Sequence, residues 1–258
     1  MPAGAASSQE AAASIYNVRL ADKGEVLRMN AVATAKIGER LAFYEAPVGK
    51  KAVVAVTGLV LIGYIVAHML GNLQVFLGRE QINAYARLLH SSPPLLWAAR
   101  IFLLVCAGLH ILLTLQLWLL KRRARPVRYL KKIDVPSAYA ARTMILGGPL
   151  IAAFVIFHVL HLTTGQAGLP YEELNVYDNV VRGFRIWYVA AVYIVAVSLV
   201  GLHVWHGLWS MLHTLGLDDE RYRPALVQIS HVVGVLVALG FISVPVAVLT
   251  GLIGQGVN

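Results

Sequence analysis

Five long apolar stretches, at about 52–72, 95–120, 139–163, 186–212 and 229–254, constrain this chain more than any other feature. None alternates apolar and polar residues as a half-buried strand does, and each outruns the helices of a soluble core. A bilayer interior asks for roughly 20 apolar residues per helix. The expected fold class is therefore all-α integral membrane, with five transmembrane helices in a bundle. Short polar connections separate the stretches. Ser91-Ser92-Pro93-Pro94 breaks the chain before the second, Pro136 and Ser137 precede the third, and Asp218-Asp219-Glu220 precedes the fifth. Residues 47–258 form the membrane domain. Residues 1–46 form a polar, Ala/Ser-rich tail without the apolar core of a cleaved signal peptide. The tail reads either as a cytoplasmic segment that touches a partner protein or as a disordered extension.

Charged residues make up 14% of the chain, against about 25% in soluble domains, so lipid is its natural solvent. The net charge of +9 invites a nucleic-acid reading, but the placement of the charges argues for no nucleic acid. Of 22 Lys and Arg, seven precede the first span, eight lie between Lys121 and Arg142, and Arg221 and Arg223 add two. The opposite side holds Arg79, Arg87, Arg100, Arg182 and Arg185. The positive-inside rule then places the N-terminus in the cytoplasm and the C-terminus outside. Cys106 is the one cysteine, which leaves no disulfide within the chain, no cysteine-held iron–sulfur cluster and no cysteine zinc site. No Asp or Glu falls inside a span. Proton-driven transporters place carboxylates there, so that reading is weakened and histidine becomes the chief ionisable group.

Eight of the nine histidines lie within or beside spans, and His90 lies in a connecting loop. A single histidine in a span usually makes an interhelical hydrogen bond. Four on successive helices at matched depths point to ligation. His68 stands 17 residues after Lys51, and His158 stands 16 after Arg142. At 1.5 Å per residue both lie about 25 Å from the inner boundary. His110 stands 11 residues before Lys121, about 16 Å from the same boundary. His203, 15 residues before Asp218, pairs with it. Two facing imidazoles are what a six-coordinate haem iron needs, in a site for electron transfer. Zinc or copper would want more protein ligands. His161 and His206 follow His158 and His203 by three residues and share their faces, so either remains an alternative ligand. His213 and His231 lie near the inner boundary.

At these residues the chain resembles the cytochrome b membrane anchor of dihaem succinate:quinone oxidoreductases and fumarate reductases, in the single five-helix subunit type. The likeness covers about 48–252. It rests on Ala67-His68-Met69-Leu70-Gly71-Asn72-Leu73-Gln74, Gly108-Leu109-His110, Phe157-His158-Val159 and Leu202-His203-Val204-Trp205-His206-Gly207-Leu208-Trp209-Ser210. The resemblance implies two haems b, an outer one on His68 and His158 and an inner one on His110 and His203. It also implies a flavoprotein subunit with FAD, a subunit with iron–sulfur clusters, and a membrane quinone, with menaquinone favoured over ubiquinone. The complex would sit in a bacterial cytoplasmic (inner) membrane, in one copy or as a higher oligomer, with succinate oxidised on the partner flavoprotein. Some members carry a carboxylate two residues before the fourth ligand, linked to transmembrane proton movement. Here that position is Gly201, which puts that proton path in doubt.

Lys51, Arg142 and His213 are candidates to neutralise haem propionates, with Lys50 read as an anchoring charge. Asn72, Gln74, Tyr85, Arg87 and Trp209 are candidates to donate to quinone carbonyls. A fumarate reductase anchor, an anchor for another quinone-linked dehydrogenase, and a haem-free membrane protein are the competing functions.

Overall fold

The computed structural model describes residues 46–124 and 137–257, with side chains from 144 onward in the second segment. The tail before residue 46 and the side chain of Arg142 lie outside the described residues. Backbone proximity separates Met1–Lys50 from Lys51–Asn258, and the packing below lies within the second unit.

The described chain is helical, with α1 Pro47–Leu73, α2 Arg79–His90, α3 Pro93–Arg123, α4 Ser137–Leu162, α5 Val176–Arg185, α6 Trp187–Thr214 and α7 Arg223–Leu249. A 3₁₀ turn, Gln74–Leu77, follows α1. Helices α1, α3, α4, α6 and α7 are long and apolar enough to cross a membrane. Tryptophans mark both ends of two of these spans. Trp97 and Trp118 are 21 residues apart on α3, and Trp187 and Trp209 are 22 apart on α6. Those separations are about 32 and 33 Å along the axis, close to the roughly 30 Å hydrocarbon thickness. Arg100 lies over Trp97 and Arg122 over Trp118, at 5.2 and 4.8 Å from the ring centroids. Amphipathic rings beside basic side chains are the usual furniture of a membrane–water interface.

Two differences from the expected spans have clear causes. The fifth helix begins at Arg223 rather than 229 and ends at Leu249 rather than 254. Pro224 occupies the first turn, where its missing N–H is no loss. Gly251 then takes φ +73° and ends the helix. The connections on the other side are not simple loops. Arg79–His90 and Val176–Arg185 form amphipathic helices, so His90, Tyr85 and Arg87 are helical.

These two short helices pack on each other and cap one end of the bundle. Val75, Ile82, Tyr177, Val180, Val181, Phe184, Tyr193, Val244, Val248 and Val257 form the buried core there. Asn83 ties the cap together. Its amide donates to Asn175 Oδ1 at 3.1 Å, and its carbonyl oxygen accepts from the Tyr177 N–H at 3.1 Å, an otherwise unpaired amide of the first turn of α5. Asp178 is buried and pairs with Arg79 at 2.9 Å. Arg185 donates to Gly254 O at 2.9 Å and stitches the last residues to α5.

Helices α6 and α7 run in close backbone contact and α4 packs on α6, whereas among the described residues α1 and α3 make no extended backbone approach to them. The α6–α7 contact is a glycine crossing. A Cβ on Gly201 would stand 2.8 Å from Gly234 O, and one on Gly234 would stand 2.6 Å from Gly201 O. Small residues let membrane helices approach this closely. The space beside Gly201 is thus filled by the facing backbone.

Candidate functional site

Two layers of side chains bridge the space between the loosely packed and the tightly packed helices. In the layer nearer the capped end, His68 on α1 faces His158 on α4, with ring centroids 5.7 Å apart and planes at 82°. In the other layer, His110 on α3 faces His203 on α6, at 6.2 Å and 62°. Thr57, also on α1, touches His110 and so marks the level of that layer. His68 follows Thr57 by eleven residues, about 16 Å along the helix. The two pairs therefore sit at different depths.

Hydroxyl groups hold one ring of each pair. Thr57 Oγ1 donates to Val53 O at 2.8 Å and lies 3.3 Å from His110 Nδ1. With its hydrogen on Val53 O, Thr57 has a lone pair to offer the ring, an arrangement that suits a proton on Nδ1 and a lone pair on Nε2. That tautomer suits ligation of a metal through Nε2. Gly58 lets the ring lie close, since a Cβ there would stand 3.3 Å from His110 Cε1. In the other layer, Tyr193 Oη lies 3.4 Å from His158 Nδ1. His68 stacks on Tyr64 at 5.4 Å and touches Phe241 at 6.0 Å.

The neighbours at three residues' distance are placed differently. His161 is 1% exposed. Its ring is wedged against Gly183, where a Cβ would meet it at 2.7 Å, and its Nδ1 lies 3.0 Å from Tyr193 Oη. It is His158, not His161, that faces His68. On α6 it is His203, not His206, whose ring stands opposite His110. Nδ1 of His203 and Nδ1 of His206 are buried without a hydrogen-bond partner.

A haem fits these pairs on the chemistry of the donor set. Two imidazoles bound to opposite sides of one metal at roughly 2 Å place their ring centroids about 6 Å apart, and both pairs show that spacing. Among the described residues no three His, Cys, Asp or Glu side chains gather around one point. A site with two protein ligands suits a group that brings its own equatorial nitrogens.

The remaining candidates are scattered. Lys51 is exposed near the start of α1. His213 donates from Nδ1 to Asp218 Oδ2 at 2.6 Å and stacks on Trp209, so both have partners within the chain. Arg223 donates to the other Asp218 oxygen at 2.8 Å. That bond, with His213 adding to it, holds the Asp218 carboxyl below the usual carboxylate range. The clasp is therefore intact at neutral pH and lets go only when acid protonates Asp218. His231 stacks on Trp205 at 4.5 Å.

Asn72 donates its amide to His68 O at 2.7 Å, within its own helix. Arg87 pairs with Glu80 at 2.7 Å on the surface. Tyr85 lies against Gly71, where a Cβ would stand 2.9 Å from its ring, one turn from His68. Gln74 opens the 3₁₀ turn after α1.

Sequence reasoning missed Thr57 and Tyr193. For Tyr193 a signal existed: it is a polar aromatic residue well inside a span. Comparison of the chain with family models, curated proteins and solved structures finds no match.

Proposed function

We propose that this membrane protein is the cytochrome b anchor of a succinate:quinone oxidoreductase, with its N-terminus in the cytoplasm of a bacterium. The single observation that carries the haem part of this reading is the facing of the two histidine pairs across the bundle at 5.7 and 6.2 Å. His68 and His158 would hold one haem b, and His110 and His203 the other. When bound, the haems supply one-electron relay between an iron–sulfur subunit at the basic face and a quinone in the membrane.

The chain's own task is to hold and orient. Thr57 keeps His110 in the tautomer that leaves Nε2 open. Gly58 and the aromatic packing of Tyr64 and Phe241 set the ring positions. The glycine crossing of α6 on α7 makes a rigid wall that carries His203. The link to succinate rests on the family resemblance of the four histidine motifs.

Affinity purification of the chain from its native membrane tests that link. A large flavoprotein with FAD and an iron–sulfur subunit are expected in near-equal amounts, and succinate should reduce the bound haems. Purification with a different flavin or molybdenum enzyme, and haems inert to succinate, would replace it with another dehydrogenase anchor.

A further inference from the structure

Tyr193 lies between two histidines of which the proposed ligand set uses only one. Its side chain is 5% exposed and is fixed by three phenylalanines, with Phe154, Phe157 and Phe184 at 5.0, 5.9 and 4.8 Å between ring centroids. Its hydroxyl lies 3.4 Å from His158 Nδ1 and 3.0 Å from His161 Nδ1. His161 is pinned in turn against Gly183. Three polar atoms from α4 and α6 thus form one chain inside an apolar wall.

The protonation of this chain follows from what each atom can do. A histidine that gives Nε2 to a metal carries its proton on Nδ1, where it can only donate. Tyr193 Oη is the acceptor within reach of His158. A phenol oxygen that accepts still has its own hydrogen to place, and His161 Nδ1 is the nearest acceptor. The order is His158 Nδ1–H to Tyr193 Oη, and Tyr193 Oη–H to His161 Nδ1. Bonds in such a chain polarise one another, so donation to His161 makes the Tyr193 oxygen a better acceptor.

We propose that Tyr193 is a positioning residue for the His158 ligand, and that His161 acts through it. The pair sets the orientation and basicity of His158, which a hydrogen-bond acceptor at Nδ1 raises. A more basic ligand favours the oxidised iron and lowers the potential of that haem. The other layer has a different device, Thr57 on His110, so the effect belongs to one haem alone.

This inference rests on the haem reading above. Its test is a redox titration of the intact complex, with the haem in question identified as the one missing from a His158→Ala variant. Tyr193→Phe keeps the ring and its phenylalanine contacts but removes the acceptor. The midpoint potential of the His158 haem is expected to rise while the other stays in place. His161→Leu should shift the same haem in the same direction by less.

Two bound haems with both potentials unchanged in Tyr193→Phe would overturn the inference and leave the haem reading standing. An equal shift in both would overturn it too. If Tyr193→Phe fails to fold, His161→Leu decides by the same criterion. A wild-type complex without haem would instead sink the reading beneath it.

Discussion

A His110→Ala variant is expected to purify with one haem, and the unaltered chain with two. His110 and His203 face each other at 6.2 Å, and Thr57 Oγ1 lies 3.3 Å from His110 Nδ1. Alanine leaves one imidazole where the proposed haem would need two. The second pair lies about 16 Å away along α1 and shares no ligand with the first, so its haem should stay. His203→Ala should give the same result. His206→Ala provides the contrast. Its ring does not face His110, and both haems should remain. Haem per chain, read from the alkaline pyridine spectrum against protein mass, decides between these outcomes. Two haems in His110→Ala, or one in His206→Ala, would overturn the ligand assignment.

A Gly234→Leu variant is expected to lose stability and folded yield more than any single histidine variant. A Cβ on Gly234 would meet Gly201 O at 2.6 Å and the Trp205 Cβ at 2.8 Å. Two of the three nearest atoms are backbone, so no flexible side chain can give way. Overpacking of a tight site costs about 1–3 kcal/mol, and a rigid backbone contact puts this one at the upper end or beyond. Gly201→Glu should behave alike, because the facing Gly234 carbonyl and Ala238 fill that space. Thermal unfolding in detergent, followed by loss of the monodisperse peak, measures the effect. A Gly201→Glu chain as stable as the parent would mean that α6 and α7 do not pack as described.

The spans were legible because lipid sets a length that apolar runs must meet, and the structure gives five such helices. The pairing of histidines was also within reach, since a fixed rise per residue turns sequence position into depth. Depth favours His158 over His161 and His203 over His206, but by itself it leaves both neighbours open. Residues three apart share a face, and only the neighbouring helices decide which ring turns inward. Gly183 and Tyr193 claim His161, and that information lies on α5 and α6.

The two short capping helices were missed for a different reason. At twelve and ten residues they are polar enough to read as loops, and their stability comes from packing on each other over Val75, Ile82 and Val181. Thr57 was invisible because a hydroxyl in a membrane helix commonly bonds its own backbone. It does so here, to Val53 O, and its second role depends on α3 standing beside it.

Four histidines that bind two haems would leave a direct optical signature. The most direct measurement is the reduced-minus-oxidised optical spectrum of the purified chain, with haem counted per polypeptide. Two non-covalent b-type haems per chain, both low-spin and six-coordinate, are the expected result. A chain that folds with its five helices intact and shows no haem absorbance after growth with ample haem would contradict it.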